Sequence, residues 1–259
     1  MNIDDVPQGA GTDRPQAPGN GHPPGTESGL DPGPAAGEFT TNTADPDTDP
    51  GNAALATALA QLEGGRRRFP DGQRRIFLAA IDAFSERGFH ATTTRDIAAR
   101  AGLSPAGLYV HFRSKEEVLH RISLSALRLT QQVAEAAATG PGSTAERLAA
   151  TVRALTIWHA RYSGSVRVVL YHLTDLTPDH RAEVTEVQHS LHRLIRDLAA
   201  EGADAGDFDI TDPSATALAL LALSVDASRW YRPAYRSTPE TLGDEYATLA
   251  LRMVGARTS

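Results

Sequence analysis

Between residues 92 and 115 the chain sets small hydroxyl, aromatic and cationic side chains at spacings that suit contact with a polyanion. Thr93 and Thr94 open a short helical pattern, where hydroxyls and unpaired N–H groups face outward and can reach phosphate oxygens. Arg95 follows as the long side chain suited to a base edge or a phosphate. Further on, Ser104 supplies an N-cap oxygen and Pro105 takes the first helical position. Ala106 and Gly107 complete a tip of small residues, which lets backbone lie against base edges and allows apolar contact with a thymine methyl. Tyr109 and His111 project one turn later toward the phosphate backbone. Lys115 stands in the first turn of the next helix, where its ammonium and the helix N–H groups can grip one phosphate together. The chemistry implied is non-covalent capture of a double-stranded DNA operator.

The elements that must hold these groups are legible from apolar spacing. Ile97, Ala98 and Ala101 form a small apolar face on one short helix, 94–101, and small residues there let a second helix approach closely. Gly102 can take the left-handed conformation that a tight inter-helix turn needs, and Leu103 buries that turn. A second short helix, 104–112, completes a helix-turn-helix over residues 93–112. Upstream, Ile76, Ala79, Ala80, Ala83 and Phe84 recur at helical spacing and Gly88 ends that helix. Downstream, Ser114 and Glu117 read as a capping box at the head of a long helix. Ile97, Ala101, Leu103, Leu108, Phe112, Phe84 and Phe89 are expected in the core. Tyr109 and His111 each have an alternative as partly buried packing, and Arg100 and Arg113 as solvated charges.

Bulk composition bounds the rest. The chain has 259 residues, a net charge of −7 and no cysteine. Disulfides and thiolate metal sites are therefore excluded. The acidity is local: residues 1–64 carry ten carboxylates against Arg14 alone, and the remainder is slightly basic. That segment is rich in Pro, Gly, Asp and Thr, too poor in aliphatics to offset its ordering entropy, and reads as a disordered tail. Residues 52–62 could form a short helix stopped by Gly64 and Gly65. Arg66, Arg67, Arg68, Arg74 and Arg75 follow, as a solvated linker or as an arm that contacts DNA. The N-terminus lacks the basic and apolar regions of a secretory signal, and no apolar run spans a bilayer, so a cytoplasmic protein without a membrane partner is expected.

Three divisions follow: a tail at 1–64, a DNA-binding domain at 65–120, and a helical domain at 121–259. Helices are expected at about 144–162, 165–174, 178–201, 212–231 and 239–254, broken by Gly and Pro. No strand alternation and no repeat is visible. The fold class is all-α, a three-helix helix-turn-helix domain followed by a helical ligand-binding and dimerisation domain.

Residues 74–119 resemble the N-terminal domain of the TetR family of bacterial regulators. The shared elements are Phe84-x-x-x-Gly88-Phe89, Thr93-Thr94, Asp96-Ile97-Ala98, Ala101-Gly102, Leu108-Tyr109, His111-Phe112 and Ser114-Lys115-Glu116. The resemblance implies a homodimer that represses by occupying an operator and is released when a small ligand binds the C-terminal domain. It also implies that Thr93, Thr94, Arg95, Ser104, Ala106, Gly107, Tyr109, His111 and Lys115 face DNA. Pro105 falls at a variable family position, so base preference is not inherited.

Residues 121–259 carry no Gly-rich phosphate loop, no His-Glu-x-x-His and no catalytic constellation, so neither enzyme activity nor a cofactor is expected. His189 and His192, at i and i+3, permit a metal but lack a third ligand, and read better as a solvated or partly buried pair. His159 and His172 are treated in the same way. The helices at 212–231 and 239–254 are apolar enough to pair with their twins as a homodimer interface through the last two helices, or to pack within one chain. Leu176-Thr177-Pro178-Asp179-His180-Arg181, the turn at 199–208, and Ala227-Ser228-Arg229-Trp230-Tyr231-Arg232-Pro233 ahead of Asp244-Glu245-Tyr246 resemble a narrower branch. Its members are TetR-family repressors of fatty-acid and steroid-ring catabolism that respond to acyl-CoA. This chain has Ala234-Tyr235 where that branch carries two glycines. A CoA effector needs cations, for which Arg153, Arg161 and Arg167 are available, and an apolar tunnel, for which Trp158, Tyr162, Leu170, Tyr171 and Trp230 are available. Two readings stand: a ligand-released repressor, and a dimeric DNA-binding regulator that senses no ligand.

Overall fold

The computed structural model describes residues 71–232 and 236–256. The acidic tail, the helix expected at 52–62 and Arg66, Arg67 and Arg68 lie outside the described residues, as do Pro233, Ala234 and Tyr235. Among the described residues there are nine α-helices and no strand. They are α1 (Asp71–Ala91), α2 (Thr94–Arg100), α3 (Pro105–Tyr109), α4 (Lys115–Ala138), α5 (Thr144–Arg161), α6 (Ser163–His172), α7 (Pro178–Asp204), α8 (Pro213–Trp230) and α9 (Pro239–Met253). A short 3-10 turn, Leu173–Asp175, links α6 to α7.

Helix α1 breaks at Gly88, whose φ of 77° only glycine adopts at little cost. The carbonyls left open at the break find side-chain donors. The buried Thr92 hydroxyl lies 2.8 Å from the Gly88 oxygen and 3.1 Å from the Ala83 oxygen. Helix α2 starts with a capping box: the Thr93 hydroxyl accepts from Asp96 N, and the Asp96 carboxylate accepts from Thr93 N at 2.9 Å. It ends in a Schellman turn. Gly102, at φ 64°, donates to the Ala99 oxygen, and Leu103 N donates to the Ala98 oxygen at 2.9 Å. Ser104 then caps α3 by accepting from Gly107 N at 3.1 Å. At the head of α4, Ser114 caps Glu117 N, but the Glu117 carboxylate accepts from Arg113 N at 2.7 Å. The expected capping box is thus displaced by one residue on its return half.

Helix α4 runs unbroken for 24 residues, so the boundary expected at residue 120 falls inside a continuous helix. Its first half joins a core of Ile76, Phe77, Phe84, Ile97, Leu108 and Phe112. That core continues into Trp158, Val168, Leu176 and Val184 of the second half of the chain. The far end of α4 contributes Ala134 and Ala138 to a second core with Leu148, Leu155, Ile195, Phe208 and Leu220. Helix α5 lies at the centre of the second domain, against α4, α8 and α9. Gly243 permits the α5–α9 approach: a Cβ there would stand 3.1 Å from the Arg153 carbonyl.

At the end of α7, Gly202 sits under the Phe208 ring so closely that a Cβ would fall 2.1 Å from Cδ2. Gly202→Ala must therefore push a buried aromatic out of the second core. Overpacking of this kind costs about 1–3 kcal/mol, against about 1 kcal/mol that alanine adds to a helix interior. The expected outcome is a lower urea midpoint with an unchanged m-value.

Candidate functional site

The outer face of α2 and α3 carries the groups that can meet DNA. Arg95, Ser104, Pro105 and Ala106 are exposed, and Gly107 is half-buried. A Cβ on Gly107 would make only ordinary contacts with Ser104 and Leu103, so folding alone does not demand glycine there. Tyr109 is 54% exposed, and its hydroxyl lies 3.2 Å from that of Thr94, so the two present a joined pair. Val110, 80% exposed at the end of α3, was not foreseen; its signal was an aliphatic residue off the Leu108–Phe112 core spacing. Arg75 joins the same side: its guanidinium is the group nearest to Gly102, 3.4 Å from where a Cβ would lie.

Three expected contact residues are committed elsewhere in the fold. The Thr93 hydroxyl is 2.7 Å from the Asp96 carboxylate and caps α2, and this bonding holds the Asp96 carboxyl below its usual range. His111 is half-buried against the start of α1, where a Cβ on Gly72 would meet its Nε2 at 2.6 Å. The ammonium of Lys115, expected at a phosphate, instead donates to the oxygens of Phe89 at 2.8 Å and Thr92 at 2.9 Å. It also lies 4.4 Å from the centre of the Phe89 ring. Its donors end one helical segment and anchor the next, so its role here is structural. Arg100 pairs with Glu86 on α1.

Two short helices joined by a Schellman turn, with a small-residue tip and Arg95 beside it, form a helix-turn-helix whose second helix can enter a major groove. Residues 76–122 match the family model for bacterial regulatory proteins of the tetR family. Residues 141–254 match that for the tetracyclin repressor-like C-terminal domain. The chain is 30% identical over 190 residues to the HTH-type transcriptional activator FasR of Mycolicibacterium smegmatis, covering 71% of this chain and 85% of that one. It belongs to the TetR family. It is also 31% identical over 176 residues to the HTH-type transcriptional repressor KstR2 of Rhodococcus jostii, covering 66% of this chain and 85% of the relative. Among solved structures, AibR in complex with isovaleryl coenzyme A and operator DNA shares its fold at TM-score 0.65 and 23% identity, over 72% of this chain and all of that one. This TetR-family chain is a DNA-binding transcriptional regulator. No helix among the described residues is long and apolar enough to cross a membrane.

The second domain holds a cavity of about 420 Å³ between α4, α5, α6, α7 and α8. Leu127, Val166, Val169, Leu170, Leu221 and Val225 supply much of its apolar wall. The lining contains no lysine, arginine, aspartate or glutamate; its polar groups are Thr130, His159, Gln188, His189 and His192. Of the six ligand residues expected from sequence, only Leu170 is in this lining. The rings of Trp158 and Tyr162 lie 4.1 Å apart, tilted by 47°, and pack in the core shared with the DNA-binding helices. Arg167 donates to the Ser228 oxygen at 3.0 Å. Tyr171 is half exposed beneath Arg229, and Trp230 packs beside Tyr231. Arg153 and Arg161, the other expected cations, pair with Asp244 and Glu240 on α9. Histidines 189 and 192 are wall residues. His192 Nε2 lies 3.1 Å from the Ser214 oxygen, and no set of three metal-ligating side chains converges among the described residues.

His159 is buried, one ring nitrogen bonds the Ser224 carbonyl, and Nδ1 has no partner. Burial depresses its pKa to about 4. The unfolded chain therefore binds a proton that the folded chain refuses between pH 6.5 and about 4. The contribution is fully present above pH 6.5 and is lost as pH falls, by up to roughly 3 kcal/mol. Urea unfolding at a series of pH values should show this slope in the parent and a much smaller one in His159→Leu. At the DNA face, Arg95→Ala should leave the thermal midpoint unchanged while weakening duplex binding and reducing its salt slope by about one. Lys115→Met should instead cost about 1–3 kcal/mol of stability, seen as a lower thermal midpoint.

Proposed function

We propose that this chain is a cytoplasmic homodimeric repressor, released from its operator when an apolar small molecule fills the cavity of the second domain. The observation that carries this reading is the cavity itself: about 420 Å³, walled by aliphatic side chains and without a fixed charge. Such a space rewards burial of a hydrocarbon and penalises an ion. The proposed ligand class is a fatty acyl thioester whose acyl chain enters the cavity and whose CoA phosphates stay outside, since no guanidinium or ammonium lines the wall. The fold shared with AibR, solved with isovaleryl coenzyme A, supports that class.

The dimer reading is supported by exposed apolar side chains on the last two helices, Leu218 on α8 and Leu249 and Met253 on α9. Two-fold pairing of these faces would bury them and set two recognition helices on one duplex. The alternative, a dimeric regulator that senses nothing, suits a fully packed second domain, which the cavity argues against.

Fluorescence anisotropy on the duplex upstream of the chain's own gene tests the reading with octanoyl-, decanoyl- and palmitoyl-CoA. At least one thioester should lower affinity ten-fold or more, and Leu170→Trp should bind the duplex normally yet resist release. Undiminished binding with every thioester would overturn the acyl-CoA class.

A further inference from the structure

Helix α4 of the DNA-binding core and helix α7 of the second domain meet through two histidines and two carboxylates arranged crosswise. His120 on α4 places Nε2 2.9 Å from Glu183 on α7, and His180 on α7 places Nδ1 2.9 Å from Glu116 on α4. The two imidazole rings lie face to face, 3.8 Å apart and within 3° of parallel. Glu116 also accepts from Thr177 N, the cap residue of α7, at 2.9 Å. Each helix therefore supplies one donor ring and one acceptor, and the only way to keep both bonds is to hold α4 and α7 in this register.

We propose that this crossed pair is an acid-released clasp that fixes the DNA-binding helices to the ligand-binding helices. With both rings neutral, each donates its N–H to the carboxylate opposite and the set is satisfied. The surrounding charge is already matched. Glu116, Glu117 and Glu183 are faced by Arg113, Arg121 and Arg128, the last 3.5 Å from Glu183. One added proton turns one contact into an ion pair with the facing glutamate. A second proton puts two cations flat against each other in a partly buried cleft, with Glu183 already shared with Arg128. Burial, and then the neighbouring His180, holds the pKa of His120 below the ordinary histidine range, so the doubly protonated pair forms only on acidification, and its mutual repulsion separates the rings. Glu116 stays ionised throughout, because the Thr177 N–H and His180 outweigh its burial.

A second inter-domain contact behaves in the opposite sense. Asp175, in the turn before α7, lies 2.9 Å from His90 at the end of α1 and 2.9 Å from His172 at the end of α6. Protonating either ring there adds attraction to a carboxylate. Acid thus opens the clasp at α4 and α7 while the Asp175 contact holds, so the DNA-binding helices swing about the end of α1.

The chain has no cysteine, so Ala99→Cys on α2 and Ala205→Cys after α7 give two unique nitroxide positions. Pulsed electron–electron resonance on labelled protein diluted into unlabelled protein reads the intrachain distance. From pH 7.5 to 5.5 we expect a second population displaced by more than about 2 Å, with helical circular dichroism unchanged. His120→Gln with His180→Gln, which keeps amide donors for both carboxylates but cannot ionise, should abolish that population. Asp175→Asn should not. A distribution unchanged with pH, a shift that persists in the double variant, or loss of helical signal over the same range would each overturn the clasp.

Discussion

One unbroken helix sets the mechanical terms for the molecule. Helix α4 starts at the Ser114 cap, tied by Lys115 to the carbonyls that end α1, and ends among the residues of the second core. A continuous ladder of i to i−4 hydrogen bonds resists bending without a proline, a bulge or an inserted side chain, and the described length of α4 contains no proline. A displacement at the cavity end must therefore appear as a tilt or shift at the DNA-binding end. Val118, Leu119 and Ile122, all buried, make that transfer by packing rather than by flexible tether.

The same constraint explains why so few side chains on the DNA face are free. A three-helix domain with α2 and α3 this short cannot hold its shape by helix propensity, and its ends are fixed by side chains instead. Thr92, Thr93, Ser104, Ser114 and Lys115 each spend hydrogen-bonding capacity on a helix terminus. What remains for DNA is the apolar, small tip of α3, the Thr94–Tyr109 pair and the long cations Arg95 and Arg75.

Features governed by neighbours in sequence were legible in the residues, and those governed by distant partners were not. Gly88, Gly102, Ser104 and Pro105 punctuate helices through interactions within four or five residues, so the helix-turn-helix could be placed closely. The Thr93–Asp96 box obeys the same local rule and was open to the same reading. The carbonyl partners of Lys115 are not legible in the sequence: they lie 23 to 26 residues earlier, and only the folded turn brings them to one ammonium. Most residues expected to line a ligand tunnel lie outside the cavity for a related reason. Trp158 and Tyr162 have the composition of a tunnel wall, yet the last turn of α5 and its C-cap direct them toward the core shared with the DNA-binding helices. The cavity falls one helical face away, at His159 and across to α7 and α8, and no periodicity in a single helix reveals which of two buried faces is fully packed.

The position of the cavity gives the His–carboxylate contacts their significance. Val166, Val169 and Leu170 on α6 line it, and α6 runs on to His172 and the turn that carries Asp175. Gln188 and His189 on α7 line it, and the same helix begins with His180 and Glu183. A ligand that parted α6 from α7 in the cavity, as proposed, would load both inter-domain contacts directly, with no intermediate side-chain relay. Because the cavity wall carries no carboxylate, guanidinium or ammonium and the contacts below it pair imidazoles with carboxylates, hydrocarbon burial and proton binding would act on the same two helices from opposite ends. On the proposed reading, two inputs of unrelated chemistry would converge on a single mechanical output, the tilt of α4.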